Sequence, residues 1–209
     1  PTSEAGSVTK SSPMGSVDYP FNPLSVALGA GCSFVARALD SDRKGLDETL
    51  TTAAHHRGTS FVEIYQNCPI FNDGAFDDYK GPEAAERIVR LVDGEPILLG
   101  ADRSKGVVRD PVNGSLTVTE VAQVGMDHVV VHDATRPDPS LAFELAHLHD
   151  SGQISQIPLG ILRSVSLPTY DDMVRDQLRL AGGSADDKPA RDAALQQLLR
   201  GNDTWQVHN

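Results

Sequence analysis

Helix-like and strand-like segments alternate between residues 22 and 65, and this alternation constrains the fold more than any other feature of the sequence. Asn22-Pro23 predicts a helix start, because asparagine caps helices and proline suits the first turn. The runs 33–38 and 59–65 predict strands, and either residue of Ser41-Asp42 can cap a helix between them. This order predicts an α/β fold with a parallel sheet.

Cys68 follows the second predicted strand, in the segment 66–73. Open α/β sheets place ligands beyond the carboxyl ends of their strands, and cysteine thiolates hold iron-sulfur clusters. Pro69 turns the chain away after the cysteine and leaves the amides of Ile70 and Phe71 as possible donors to sulfide. Cys68 is therefore a candidate cluster ligand. The alternative is a buried cysteine that acts as a small hydrophobic residue.

Cys32 is the other cysteine of the chain, and it lies in an apolar, strand-like pattern. It is expected to be a buried structural residue. Because clusters commonly take four cysteine ligands, two cysteines cannot hold a [4Fe-4S] cluster, so further ligands would come from another segment or a partner chain. A third hypothesis gives Cys32 and Cys68 a thiol redox role with a reversible disulfide.

The charge and composition of the chain exclude several classes of protein. A formal net charge of −11 argues against nucleic acid, because phosphate binding needs clustered Lys and Arg. No run approaches the ~20 apolar residues of a membrane-spanning helix, so no membrane insertion is predicted. Two cysteines among 209 residues suit a reducing compartment, which predicts a cytoplasmic protein.

Neither the histidines nor the paired acidic residues predict a site. His55-His56 are adjacent and His147 and His149 are two apart, so neither spacing places two imidazoles on one helical face for zinc. Asp77-Asp78 and Asp171-Asp172 read as surface or helix-start charges. The sequence contains no dinucleotide-binding glycine motif, phosphate-binding loop or nucleophile elbow, so no catalytic residue is predicted.

The pattern changes after Asp73. Segments 87–92 and 96–100 flank Asp93-Gly94 and predict an antiparallel hairpin, and a second hairpin is predicted around Asn113-Gly114. Further strands are predicted at 128–132 and 160–163, with helices at 140–146, 169–181 and 189–199.

Several ordered segments carry a resemblance to a known family. They are Pro1-Thr2-Ser3-Glu4, Val8-Thr9-Lys10-Ser11, Pro20-Phe21-Asn22-Pro23, Phe34-Val35-Ala36-Arg37 and Cys68-Pro69-Ile70-Phe71-Asn72-Asp73, and the match continues through Pro168-Thr169-Tyr170-Asp171-Asp172. Together they resemble the β subunit of 2-oxoacid:ferredoxin oxidoreductases, and they are similar to its long-tailed, actinobacterial 2-oxoglutarate type.

The resemblance implies both an architecture and a set of cofactors. It divides the chain into the C-terminal part of a thiamine-diphosphate-binding α/β domain (1–73), a β-rich extension (74–160) and a helical C-terminal arm (161–209). It implies thiamine diphosphate with Mg²⁺ and one [4Fe-4S] cluster, whose fourth ligand is Cys68. The family's other cluster ligands and its metal-diphosphate loop precede the stretch that matches Pro1-Thr2-Ser3, so this chain is expected to be the later part of a longer subunit, inactive alone.

The resemblance also implies a reaction and its partners. The reaction is oxidative decarboxylation of a 2-oxoacid, with 2-oxoglutarate favoured over pyruvate, to an acyl-coenzyme A. Electrons pass through the cluster to ferredoxin, and an α subunit completes an α2β2 enzyme. The alternative is a cofactor-free α/β interaction module in which Cys68 is structural.

Two details of the implied site depend on the surroundings of Cys68. Ile70 and Phe71 are expected to form an apolar wall beside the sulfurs. Because ferredoxins are usually acidic, like this chain, attraction to ferredoxin would need a local basic patch. Lys10, Arg37, Arg43 and Lys44 could contribute to it, and the alternative for each is an ordinary solvated surface residue.

Overall fold

The computed structural model describes residues 5–70, 73–149, 156–182, 187–202, 204, 205 and 207, in two compact units, 1–167 and 168–209. The α-helices are α1 (Pro23–Gly29), α2 (Arg43–His55), α3 (Ala84–Arg87), α4 (Val121–Val124), α5 (Ser140–Ala146), α6 (Tyr170–Gly182) and α7 (Lys188–Arg200). The strands are β1 (Phe34–Leu39), β2 (Ser60–Tyr65), β3 (Ile88–Leu91), β4 (Leu98–Leu99), β5 (Lys105–Arg109), β6 (Leu116–Glu120) and β7 (Ile157–Ser164). The α/β class is confirmed, whereas the three-segment division of the chain stays a prediction.

The helix caps read from the sequence are confirmed. The Asn22 side-chain oxygen accepts the Ser25 N–H at 3.1 Å, and the Asp42 carboxylate accepts the Gly45 N–H at 3.1 Å. Each bond satisfies one of the amide donors that a helix start leaves unpaired. The second helix ends three residues before the predicted stop at Gly58.

The strands β1 and β2 form the predicted parallel pair. Phe34 lies opposite Ser60 and Leu39 lies opposite Tyr65, with no shift of register between them. Helix α2 connects the two strands, which is the connection that a parallel pair requires. The carboxyl ends of both strands therefore lie at the same edge of the sheet.

The predicted hairpin of segments 87–92 and 96–100 is wrong. Strand β3 pairs in parallel with β7, which is antiparallel to β1, so the four-stranded sheet has the order β2-β1-β7-β3. Strand β4 belongs to a separate sheet of order β4-β5-β6. Ile88, Val89 and Leu91 are buried although their side chains point to both faces of β3. A continuous apolar run of this kind is typical of a strand in a parallel pair. Asp93-Gly94 turns the chain between the two sheets.

The second predicted hairpin is confirmed, since β5 and β6 pair antiparallel. Gly114 adopts a φ of +75° in its turn, a conformation that glycine accepts without steric cost. The strand predicted at 128–132 is wrong, because the segment makes isolated bridges from Val129 to Val108 and from Val131 to Pro96. Proline lacks the N–H that a continuing ladder needs.

The main core is formed by α1 and α5 together with strands of both sheets. Residues with almost no exposure include Leu24, Val35, Val89, Ile97, Val107, Leu145 and Leu162. The helix predicted at 140–146 is confirmed as α5, and the strand predicted at 160–163 is confirmed within the longer β7.

His132 is buried within this unit, with 1% of its surface exposed. Its Nε2 lies 2.7 Å from the Ile161 carbonyl oxygen, so Nε2 carries the proton and donates it. Burial lowers the pKa of His132, while this hydrogen bond and the charges of Asp93 and Asp133 act in the opposite direction. The neutral imidazole is therefore the form that the fold holds.

We expect the free energy of unfolding to fall as the pH is lowered from about 6.5, because the unfolded chain then binds a proton that folded His132 resists. The contribution is fully present above pH 6.5 and is lost toward the lower folded pKa. Chemical denaturation at pH 7 and pH 5.5 measures the loss. His132→Gln keeps an N–H donor and should flatten the dependence in part, since burial also lowers the pKa of His56. An unchanged slope in His132→Gln would contradict this account.

The second unit contains α6 and α7, which confirm the helices predicted at 169–181 and 189–199 to within one residue at each end. The Asp187 carboxylate caps α7 by accepting the Ala190 N–H at 3.0 Å. Residues 183–186 of the predicted linker lie outside the described residues. No helix in the described ranges has both the length and the apolar character to cross a membrane.

Candidate functional site

Cys68 lies three residues beyond the end of β2 and is half-buried. Since β1 and β2 are parallel, it lies at the edge formed by their carboxyl ends. This confirms the position predicted from the sequence, at the edge where open α/β sheets bind ligands.

The segment around Cys68 is closed by the side chain of Asn67. The Asn67 side-chain oxygen accepts the Gly74 N–H at 2.8 Å, and its side-chain nitrogen donates to an Asp73 carboxylate oxygen at 2.9 Å. The backbone N–H of Asn67 donates to the Asp40 carboxylate at 3.2 Å. We call these three hydrogen bonds the Asn67 clamp. They tie both ends of the Cys68 segment to each other and to the end of β1.

A buried ion pair lies two residues before the ends of β1 and β2. Arg37 Nε and Glu63 Oε2 are 2.7 Å apart, with side-chain exposures of 3% and 16%. The Arg37 guanidinium also lies 4.9 Å from the centroid of the Tyr65 ring, within the range of a cation–π contact. Both predictions for Arg37, part of a basic patch or an ordinary solvated residue, are therefore wrong, because its buried charge is paired with Glu63 on the adjacent strand.

Two buried polar atoms near this edge have no hydrogen-bond partner in the part of the chain that the structure describes. They are Arg37 Nη1 and Asp40 Oδ1. Buried polar atoms are nearly always paired with protein or with ordered water, and water would satisfy each of these two atoms as well as a ligand would.

Aromatic side chains pack beside the same edge. The rings of Tyr65 and Phe76 are stacked with centroids 4.7 Å apart, and the Tyr79 ring lies 6.4 Å from Phe76. Together with buried Leu39 and Ile88 they form a second, smaller core cluster. Phe76 and Tyr79 are therefore packed against the sheet.

Cys32 lies at the opposite end of the strand pair, two residues before β1. Its Sγ donates toward the carbonyl oxygens of Phe34 and Thr59 at 3.1 and 3.2 Å, which uses the proton that a metal-bound thiolate lacks. The six-residue strands separate this end from the Cys68 end by roughly 17 Å. A disulfide needs Cα atoms within about 7 Å, so the thiol redox hypothesis is wrong. The structural role expected of Cys32 is confirmed.

The surroundings of Cys68 fit one ligand of a cluster and not a whole cluster. A half-buried thiol whose neighbour Asn67 is held by hydrogen bonds to Asp40, Asp73 and Gly74 can bind iron as one ligand. Ile70 is 84% exposed, so it does not pack over Cys68 within the described residues. Phe71, its expected companion in an apolar wall, lies outside them.

The described residues do not fit Mg²⁺ or thiamine diphosphate. No group of three or more His, Cys, Asp or Glu side chains in the described ranges could hold a metal ion. Pro1, Thr2 and Ser3, which resemble the stretch after the metal-diphosphate loop, lie outside the described residues. His56 and His147 instead contact serine hydroxyls, at 2.9 Å from Ser33 and 2.7 Å from Ser25.

The fold matches part of a solved enzyme. That structure is a 2-oxoglutarate:ferredoxin oxidoreductase from Magnetococcus marinus with 2-oxoglutarate, coenzyme A and succinyl-CoA bound. The TM-score is 0.60, and the match covers 93% of this chain and 50% of that chain at 23% identity. At this identity the likeness shows the fold alone, an α/β fold shared with about half of that chain.

Sequence comparison identifies relatives of the same type. The chain is 52% identical over 207 residues to the 2-oxoglutarate oxidoreductase subunit KorB of Mycobacterium tuberculosis, which is 99% of this chain and 54% of that protein. It is 37% identical over 73 residues to the 2-oxoacid:ferredoxin oxidoreductase subunit beta of Saccharolobus solfataricus, 35% of this chain and 24% of that protein. No family model matches. The chain is therefore homologous to part of the β subunits of 2-oxoacid:ferredoxin oxidoreductases, which confirms the resemblance of its motifs.

The sequence alone did not identify Asn67 or Asp40 as part of the site. Asparagine at a strand end is typical of a side chain that bonds the nearby backbone, and this signal could have singled out Asn67. The partner of Arg37 lies in β2 and that of the Asp40 side chain lies two residues beyond β2, both far along the chain, so no local pattern predicts them.

Proposed function

We propose that this chain is part of the β subunit of a cytoplasmic 2-oxoacid:ferredoxin oxidoreductase that uses 2-oxoglutarate. The enzyme would decarboxylate the 2-oxoacid oxidatively, form an acyl-coenzyme A and pass electrons through a [4Fe-4S] cluster to ferredoxin. Thiamine diphosphate with Mg²⁺ would be a further cofactor, and an α subunit the obligatory partner in an α2β2 assembly. The observation that carries the proposal is the 52% identity to the Mycobacterium tuberculosis subunit over 99% of this chain.

Within this function, the described residues would provide one cluster ligand and its support. The Cys68 thiolate would bind one iron, while the other ligands come from outside the described residues. The Asn67 clamp would hold the turn that carries Cys68, and β1 and β2 would provide a rigid edge for it. When bound, such a cluster transfers single electrons at a potential that its hydrogen bonds and nearby charges tune. No described residue is assigned to the decarboxylation itself.

The second candidate function is a cofactor-free α/β interaction module in which Cys68 is structural. The geometry favours it less, because Cys68 is half-buried at a ligand-binding edge whereas Cys32 is the fully packed thiol. A colourless, iron-free and correctly assembled protein would support this alternative.

The proposed activity can be tested on the native complex, purified without oxygen together with its copurifying subunits. Ferredoxin reduction is measured with 2-oxoglutarate and with pyruvate, each with and without coenzyme A. We expect reduction that depends on both 2-oxoglutarate and coenzyme A. Exclusive use of pyruvate would overturn the substrate, and absence of reduction with every 2-oxoacid in an intact complex would overturn the activity.

A further inference from the structure

We propose that Asn67 is a positioning residue for the Cys68 thiolate, so that cluster retention and reduction potential depend on the Asn67 clamp. This inference rests on the proposed function. Asn67 would not contact iron. It would act through Cys68, by fixing where the turn places the thiolate relative to the sheet.

A single side chain closes the whole turn. The oxygen and the nitrogen of the Asn67 side chain are both in use, one toward the Gly74 N–H and one toward the Asp73 carboxylate. The two partners follow Cys68 by five and six residues, so the clamp joins the beginning and the end of the turn. An alanine at position 67 would remove both of these bonds.

The clamp is anchored to the sheet as well as to the turn. The Asn67 backbone N–H donates to Asp40 Oδ2, and the Asp40 backbone N–H donates to the Tyr65 carbonyl oxygen at 3.0 Å. Asp40 thus connects the ends of β1 and β2 directly before Cys68. The position of Cys68 is therefore set by two strands, which are more rigid than a free loop.

Two buried polar atoms of β1 and its end have hydrogen-bonding capacity that the described residues leave unused. Arg37 is 97% buried by its 3% side-chain exposure, yet its Nη1 has no partner among the described residues, and neither does the buried Asp40 Oδ1. A buried guanidinium without a full set of acceptors is costly, so Nη1 needs a further acceptor, a role that ordered water can fill.

Positioning matters because a metal ligand must be held close to its productive geometry. Residues that orient a ligand without touching the metal typically change metal retention about 10- to 100-fold when they are replaced. A turn that lost both side-chain bonds would sample several positions of the thiolate. The cluster would then release iron faster and would experience a different set of hydrogen bonds.

The experiment compares Asn67→Ala, Asp73→Ala and the control Asn113→Ala in the native complex, purified without oxygen. Asn113 is a matched control, because its side-chain oxygen also accepts a backbone N–H, from Ser115, in the turn between β5 and β6. The readouts are iron per β subunit, the rate of iron release to a chelator, the reduction potential of the cluster and its paramagnetic resonance spectrum. The thermal midpoint of each complex is measured in parallel.

We expect Asn67→Ala to release iron about 10-fold faster than the wild type and to shift the potential and the spectrum. Asp73→Ala removes one bond of the clamp and should change the same readouts less, while Asn113→Ala should match the wild type. If Asn67→Ala does not assemble, Asn67→Asp replaces it, since it keeps the oxygen for Gly74 and loses the donor to Asp73.

The outcomes separate this inference from the proposed function. Unchanged iron release, potential and spectrum in assembled Asn67 variants and in Asp73→Ala would overturn the positioning role, with the cluster assignment intact. A wild-type complex without a cluster would overturn the proposed function first. A lowered thermal midpoint with unaltered potential and spectrum would show that Asn67 is only structural, which also overturns the inference.

Discussion

Under the proposed function, replacing Cys68 with serine is expected to remove the proposed [4Fe-4S] cluster from the native complex. A hydroxyl is a poor substitute for one of four thiolate ligands, so the variant should lose most of its iron and its broad visible absorption. Ferredoxin reduction should fall to background, because electrons would no longer have their relay. Iron analysis and visible absorption of the purified complex measure the result.

Cys32→Ser is the matched control for this prediction. Cys32 is 6% exposed and its thiol donates to two carbonyl groups, a role that a serine hydroxyl can take over. The cluster content should therefore stay at the wild-type level, with a modest change in stability. Equal loss of iron in the two variants would show that the effect comes from folding. A Cys68→Ser complex that keeps its full cluster would exclude Cys68 as a ligand.

Replacing Glu63 with alanine is expected to lower the free energy of unfolding by about 3–5 kcal/mol. The change leaves Arg37 buried, with its Nε no longer paired and its Nη1 already without a partner among the described residues. The contact with the Tyr65 ring supplies only part of the lost attraction. Chemical denaturation of the variant and the wild type measures the difference.

Glu144→Ala is the control for a partly exposed ion pair. Glu144 receives two hydrogen bonds from Arg109, at 2.8 and 2.7 Å, but the pair is far more exposed than Arg37 and Glu63. Its loss should cost no more than about 1 kcal/mol. The double change Arg37→Met with Glu63→Leu should recover much of the stability, since it removes the charge together with its partner. Equal costs for Glu63→Ala and Glu144→Ala would contradict this account.

Sequence reasoning succeeded where the cause of the structure is local. Asn22 and Asp42 cap their helices through bonds to amides three residues away, and Gly114 turns the hairpin because its own backbone allows a positive φ. The position of Cys68 was predicted for the same reason, because it lies only three residues after the end of β2.

Tertiary structure decided the features that depend on distant partners. From the sequence, β3 could pair with the next segment along the chain or with a distant strand. It pairs with β7, where both of its faces are buried, and this burial exists only once the sheet has assembled. Similarly, the sequence alone predicts Arg37 to be a surface charge. Its burial became evident only from the structure, in which β2 places Glu63 beside it.

By itself, the sequence determined the α/β order of elements, the family of the chain and the place of Cys68 at the end of a strand. Only the tertiary structure showed that Cys32 lies at the other end of the strand pair and that Asn67 and Asp40 hold the turn. Local hydrogen bonds and periodicity are encoded over a few residues, whereas burial and cross-strand partners depend on residues that are far apart in the chain.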